Sequence, residues 1–381
     1  MRRLLHSIKS RTDELVLAFI AFFLFFVATN TQTGWLFVVS SLIGGVLAVS
    51  FFSSRATLKG LRVRALASAP VFAGQTARLR LEIDNPLPRT RRFLTVSAGE
   101  TPVLIDSIPA RGRVLAEVEV ACPRRGAFPV PPIQLYSATP FGLFGVTRVQ
   151  RPEGELVVYP RGPLLEQTGL MQTAPRRAYS ARTHNRAGSS YDLRRIRPYE
   201  PGEDIRAVHW PLTARTGQLM IREHQETSAR RLSLVLLNGS ASATGGEPPP
   251  LELAIEAAAS LVELGLRQGL AVRLMAARRG QLAESSGSQG HTHYELLARL
   301  TAEAMDGSEI LRLAAEKAEP QGSLLILAAS PLGQQGWEEA RRKRLGLTVL
   351  AFHPGPHAFP ANVTLRRVQP GDDLLEVLSR R

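Results

Sequence analysis

Positions 15 to 54 carry no charged side chain, while Arg2, Arg3, Lys9 and Arg11 precede this run and Arg55, Lys59, Arg62 and Arg64 follow it. A helix rises about 1.5 Å per residue and a bilayer crossing takes about 20 apolar residues, so the run has room for two crossings. The polar break at Thr29, Asn30, Thr31, Gln32, Thr33 and Gly34 supplies a turn, after which Trp35 takes an interface position. The pattern predicts a transmembrane helical hairpin over 1–55. A cleaved leader is the rival reading, opposed by the lack of a small-x-small site after Ala28 and by the second apolar block, 35–52, which would remain. Positive charge on both flanks and none in the loop predicts a two-span anchor in the cytoplasmic (inner) membrane, with the soluble domains in the cytoplasm.

Over 56–160 the texture changes to short runs broken by proline and glycine. Residues 77–84 and 114–122 alternate apolar and polar side chains as half-buried antiparallel strands do, and Asn85-Pro86 ends the first of them as a turn. A small antiparallel β-sandwich is expected here. Phe141, Leu143 and Phe144, set among glycines, are expected to form its buried corner. Residues 161–187 have no apolar periodicity and place Arg176, Arg177, Arg182 and Arg186 among Ser, Thr, Gly and Asn. They read as a basic linker or arm, either solvated or laid against anionic headgroups.

From 232 to 381 strand-length apolar runs at 232–237, 270–276, 324–329 and 347–352 are interspersed with helical patterns. Those patterns fall at 251–267, 294–304, 309–317, 337–344 and 373–381. That order predicts a doubly wound α/β domain, making the chain as a whole an α+β multidomain protein. Ligands in such sheets bind at the carboxyl ends of the strands, so the loop after Leu237 is where chemistry is expected.

Residues 188–231 hold the densest chemistry. Pro201-Gly202 suits a tight turn, followed directly by Glu203 and Asp204. If the chain runs extended beyond it, Asp204, Arg206, Val208 and Trp210 share one side. Two readings follow. These side chains tie the segment to its own domain through a carboxylate–guanidinium bridge with the indole as packing, or they present a docking surface.

Length and charge narrow the partners. The 381 residues allow two soluble domains plus a membrane segment, and a net charge of +14 suits an acidic partner. With an apolar hairpin in the same chain, membrane lipid is favoured. No nucleic acid is expected, since the basic arm lacks interleaved aromatics and no binding motif is present. Cys122 stands alone, which excludes an internal disulfide and fits a packed thiol better than a reactive one. The chain has no phosphate loop ending in Lys-Ser or Lys-Thr, no His-Glu-x-x-His and no Gly-x-Ser-x-Gly elbow, so no catalytic residue is assigned and the protein is not read as an enzyme.

Tyr199, Pro201, Gly202, Asp204, Arg206, His209-Trp210, Ala214-Arg215, Leu219 and Arg222 together resemble the signature of the bacterial domain of unknown function 58 family. Residues 124–128, 139–145 and 157–160 resemble that family's segment between anchor and signature. The resemblance implies a membrane-anchored protein with a von Willebrand factor type A-like domain, often encoded beside a MoxR-type AAA+ ATPase. That ATPase is the implied partner, with Tyr199, Gly202, Asp204, Arg206, Trp210 and Arg215 as the partner-binding candidates. The loop Asn238, Gly239, Ser240, Ala241, Ser242 is similar to the Asp-x-Ser-x-Ser cation loop of type A domains, with Ser240 and Ser242 on the hydroxyl positions and Asn238 in place of the carboxylate. The later acidic position falls on Ala329 or Ser330, and Thr292 could stand in for a threonine ligand. With both carboxylates missing, a degenerate loop is expected, and neither Mg²⁺ nor another divalent cation. His291 and His293, in a Gly- and Ser-rich stretch, read as solvated.

The resulting expectation is a non-enzymatic scaffold acting with the ATPase in assembly or remodelling of envelope-associated complexes. The alternative is a divalent-cation-dependent, adhesion-type binding protein that uses the 238–242 loop.

Overall fold

The computed structural model describes residues 2–66, 69–171, 191–199, 208–226, 231–244, 247–319, 322–354, 360, 363–369 and 371–379. The chain divides into two compact units, Met1–Arg161 and Gly162–Arg381.

The first unit opens with helices α1 (Arg2–Thr31) and α2 (Gly34–Leu58). They pack on each other, and Ser40 Oγ donates to Ala21 O at 2.9 Å. By length and composition both are able to cross a membrane, over Glu14–Thr31 and Gly34–Leu58. Little of their apolar surface is covered by the chain itself: Phe22 is 68 % exposed and Phe52 69 %. A helix in a soluble core hides such rings.

The strands that follow are β1 (Arg62–Ala65), β2 (Val71–Phe72), β3 (Gln75–Asp84), β4 (Arg91–Ser97), β5 (Val103–Ile108), β6 (Arg113–Cys122), β7 (Gly126–Pro129), β8 (Ile133–Ser137), β9 (Val146–Gln150) and β10 (Glu155–Tyr159). β3 and β6, which contain the two alternating runs, pair antiparallel from Gln75 with Cys122 to Asp84 with Arg113. Alternation sets their faces. Ala77, Leu79, Leu81 and Ile83 are buried, while Arg80 stays outside and meets its cross-strand partner Glu117 at 2.9 Å. The sheets β1-β3-β6 and β5-β4-β8-β9 share one core, in which Leu81 and Ile83 join Leu94, Val96, Ile133 and Leu135. Leu58, from the end of α2, is part of that core. The third sheet, β2-β10-β7, encloses a smaller cluster with Cys122. Burial pushes the Cys122 thiol above its ordinary pKa, which fits packing rather than reaction. The expected buried corner differs from the observed one: Phe141 is 57 % exposed, and only Leu143 and Phe144 are partly covered.

The second unit begins with residues 162–171 laid against its α/β core. Thr168 Oγ1 donates to Leu378 O at 2.6 Å, the Arg267 guanidinium donates to Leu165 O, and a Cβ on Gly162 would run into Glu256 O. The stretch read as a linker or arm thus starts as an ordered part of this unit; 172–190, with its arginines, lie outside the described residues.

Next come β11 (Tyr191–Pro198), α3 (Trp210–Thr216) and β12 (Met220–Glu226). β11 and β12 form an antiparallel ribbon whose connection carries α3. The rest is β13 (Arg231–Leu237), α4 (Pro250–Arg267), β14 (Ala271–Arg278), β15 (Gln281–Gly287), α5 (Gly290–Arg299), α6 (Gly307–Lys317), β16 (Ser323–Ala328), α7 (Glu338–Arg342), β17 (Gly346–Ala351), β18 (Thr364–Arg367) and α8 (Leu374–Ser379). Six of these strands make one mixed sheet in the order β15-β14-β13-β16-β17-β18, parallel except for β15. In β13, Leu234, Val235, Leu236 and Leu237 are all 0 % exposed, so both faces of the central strand are covered. α6 packs over the side of Val235 and Leu237, and α4 packs on β13, β14 and β16. The sheet order changes direction between β13 and β16, and it is at the carboxyl ends of strands at such a switch point that open α/β sheets bind ligands.

Candidate functional site

The loop after β13 lies at that switch point, and Asn238 is its anchor. The side chain is 0 % exposed. Its Nδ2 donates to Ala277 O at 2.8 Å and to Thr301 O at 2.7 Å, and its Oδ1 accepts from the Ala277 N–H at 3.0 Å. The backbone continues the clamp, since the Glu303 N–H donates to Asn238 O at 2.8 Å. All polar groups of this amide are engaged, which leaves Oδ1 directed at the end of β14 instead of at a ligand. A carboxylate could not make the same bonds, because two of the three require a donor.

The rest of the loop is close-packed. A Cβ on Gly239 would lie 2.9 Å from Met305 O and 3.1 Å from Ser330 Oγ, so the approach of the backbone admits only glycine. Ser240 is exposed, whereas Ser242 is buried with no hydrogen-bond partner for its Oγ among the described residues. Ala329 and Ser330 are both buried at the end of β16, and Ser330 Oγ donates to Leu237 O at 3.2 Å. Glu303 is the acidic side chain at this edge that the sequence reading missed. Its two oxygens accept from Arg279 N–H at 2.8 Å and Gly280 N–H at 3.3 Å, at the turn between β14 and β15.

Thr292 belongs to the opposite edge. It sits in the first turn of α5 with its hydroxyl on Gln289 O at 3.0 Å. α5 follows Gly287, which pairs with Val272 at the start of β14, whereas Asn238 reaches Ala277 near the end of that strand. Thr292 is therefore not a member of the loop.

His293 corrects another expectation. It is 0 % exposed, hydrogen-bonded through Nδ1 to Ser285 Oγ at 2.7 Å and through Nε2 to Gly287 O at 3.3 Å. The helical turn from Gly290 points it back under β15, so the solvated reading fails for this residue and holds for exposed His291. Burial, with a smaller contribution from His291, pushes the His293 pKa below its usual 6.5. A base held neutral in the fold but free to take a proton when unfolded makes the unfolded state the better proton binder below about pH 6.5. Stability is therefore full above that pH and falls as pH drops toward the lowered folded value. Melting between about pH 7.5 and about pH 5 should show this loss, and His293→Asn should flatten it. An unchanged slope in the variant would assign the loss to other groups.

The signature segment forms the tip of the ribbon. Tyr199 follows β11 and donates its N–H to Leu219 O at 2.8 Å. Gly202, Asp204 and Arg206 lie outside the described residues. The extended alternation expected through Trp210 fails between Val208, which bridges to Ile221 and is 5 % exposed, and Trp210, which opens α3. His209 then caps α3, its Nδ1 accepting from Leu212 N–H at 3.2 Å, with Pro211 in the first turn and Gly217 closing the helix at φ 70°. This places Trp210 on a different surface from Val208. Trp210 is 62 % exposed, Leu219 is 45 % exposed, and Arg215 is exposed on the same short helix. The structure thus brings Tyr199, Trp210 and Arg215 to one end of the ribbon. α3 has no buried residue, and the indole does not serve as packing.

Comparison with known proteins gives a family match over part of the chain and a structural likeness. Residues 195–343 match the family described as "Protein of unknown function DUF58". Among solved structures the chain is similar to one described as "Crystal Structure of the SpRpn10 VWA domain", at 10 % identity over 39 % of this chain and 93 % of that one, with a TM-score of 0.31. No curated protein matches.

Proposed function

With residues 195–343 carrying the DUF58 match, we propose that this chain is a membrane-anchored, non-enzymatic protein-interaction scaffold. The observation that supports it best is Trp210, a large indole left 62 % exposed at the end of a ribbon inside the matched segment. Exposed aromatic side chains flanked by arginine are the groups that dominate protein interfaces. In this reading α1 and α2 span the cytoplasmic membrane, the two-sheet body is a small β-sandwich and the six-stranded unit is a doubly wound domain. Both soluble units lie in the cytoplasm. The partner is a MoxR-type AAA+ ATPase, which supplies the nucleotide hydrolysis for assembly or remodelling of envelope-associated complexes.

The 238–242 loop is read as metal-free. A cation reading would need Asn238 to give up bonds to Ala277 and Thr301, and Mg²⁺ sites lean on at least one carboxylate. The test of the scaffold is a pull-down of the full chain from detergent-solubilised membranes, with and without a non-hydrolysable ATP analogue. Retention of an AAA+ ATPase in one nucleotide state is the expected result; absence from both would remove the partner.

A further inference from the structure

The end of α2 and the corner between β8 and β9 are built as one piece. Ser54 Oγ donates to Thr139 O at 2.9 Å, and the hydroxyls of Thr57 and Thr139 lie 3.1 Å apart. Arg148 Nη1 donates to Leu58 O at 3.2 Å, closing the carboxyl end of the helix with a cation. About one turn before Ser54 on α2, the Phe51 ring meets Phe144 edge-on at 5.5 Å. The corner therefore does not hang away from the helix. It runs back along it from the level of Thr57 to that of Phe51.

That level has a meaning if α2 crosses a bilayer. Trp35 and Arg55 bracket the uncharged stretch of α2, and 20 residues of helix span about 30 Å, the thickness of the hydrocarbon layer. With Trp35 at one boundary and Arg55 at the other, Phe51 lies about 6 Å inside the second boundary. Arg55 folds back over that level, its guanidinium carbon 3.6 Å from the Phe51 ring centroid and its Nη1 on Phe51 O at 3.1 Å, so the depth of Phe51 is one that a charge shares, the acyl–headgroup boundary and not the hydrocarbon centre. Phe144 shares the depth of Phe51. Its neighbour Phe141 is 57 % exposed, and no charged side chain occurs from Pro131 to Thr147.

We infer that the corner 139–145 is a second membrane contact, with Phe141 and Phe144 entering the acyl–headgroup boundary of the leaflet that borders Arg55. The inference rests on the anchored reading of α1 and α2. It explains why Phe141 is left exposed by its own domain: lipid covers it. It also gives the strands that follow α2 a bilayer contact of their own, outside the two helices, which restrains their tilt relative to the membrane.

The test uses the full chain in phosphatidylcholine–phosphatidylglycerol nanodiscs, with Phe141→Cys or Leu42→Cys carrying an environment-sensitive fluorophore. Wild-type protein, whose Cys122 is buried, is the labelling blank. Lipids with a nitroxide near the headgroup or deep in the chain act as quenchers. The label at 141 is expected to lose emission to the shallow quencher more than to the deep one, with the reverse order at 42. Quenching at 42 with none at 141 leaves the anchor standing and overturns the corner contact. Absence of quenching at both positions overturns the anchor and the corner contact together. Phe141 is mostly exposed, so its replacement removes no core packing.

Discussion

Asn238→Asp is expected to destabilise the α/β unit by about 3–5 kcal/mol, the cost of a buried charge with no compensating partner. The substitution changes one atom type and no volume, so packing does not enter. Nδ2 donates to two carbonyl oxygens, Ala277 O at 2.8 Å and Thr301 O at 2.7 Å; a carboxylate sets a negative oxygen against both. Only the bond from Ala277 N–H survives. For a unit of this size the melting temperature should fall on the order of 10 °C, read on the full chain in detergent. Acid should narrow the gap between variant and wild type, since burial raises the pKa of the new carboxyl and protonation returns one donor. The His293 effect runs the other way but is common to both proteins and drops out of the difference. A variant that melts with wild type would mean the clamp does not hold the loop. If it melted early and Mg²⁺ restored it, the cation loop would be one residue from function instead of structurally closed.

The same site shows how far the sequence could be read. Loss of a carboxylate at position 238 is visible in the chain, and so is the apolar run that places the loop at a strand end. The clamp is not, because its partners lie 39 and 63 residues away and are backbone oxygens that carry no sequence signal. β3, β6, β13 and α4 were legible because burial there follows the local period. β15 was not: it is a polar edge strand, and its turn uses Arg279-Gly280, both at positive φ, where a reading keyed to Asn-Gly finds nothing. His293 looked solvated because its surroundings are Gly and Ser, yet Ser285 on the neighbouring strand supplies the partner that makes burial tolerable. α3 carries its signals openly in Pro211 and Gly217, which an extended-strand period over the same residues leaves unused.

Trp210→Ala should separate docking from folding. A surface side chain away from packing changes stability by no more than about 0.5 kcal/mol, so the melt should stay with wild type. An interface anchor of this type is worth about 2 kcal/mol or more, which is roughly a 30-fold loss of affinity. If the proposed AAA+ ATPase is the partner, the variant should therefore weaken its capture by about that factor while remaining folded. Val208→Ala is the contrast, since Val208 and Ile221 are 5 % and 6 % exposed and bridge the base of the same tip. Its truncation should lower the melting temperature and weaken capture only as far as it unfolds the ribbon. Capture unaffected by loss of the indole would remove Trp210 from the surface. An early melt in Trp210→Ala would return the signature to the role of a tie within its own domain, with Gly217 and His209 shaping a turn and not a docking face.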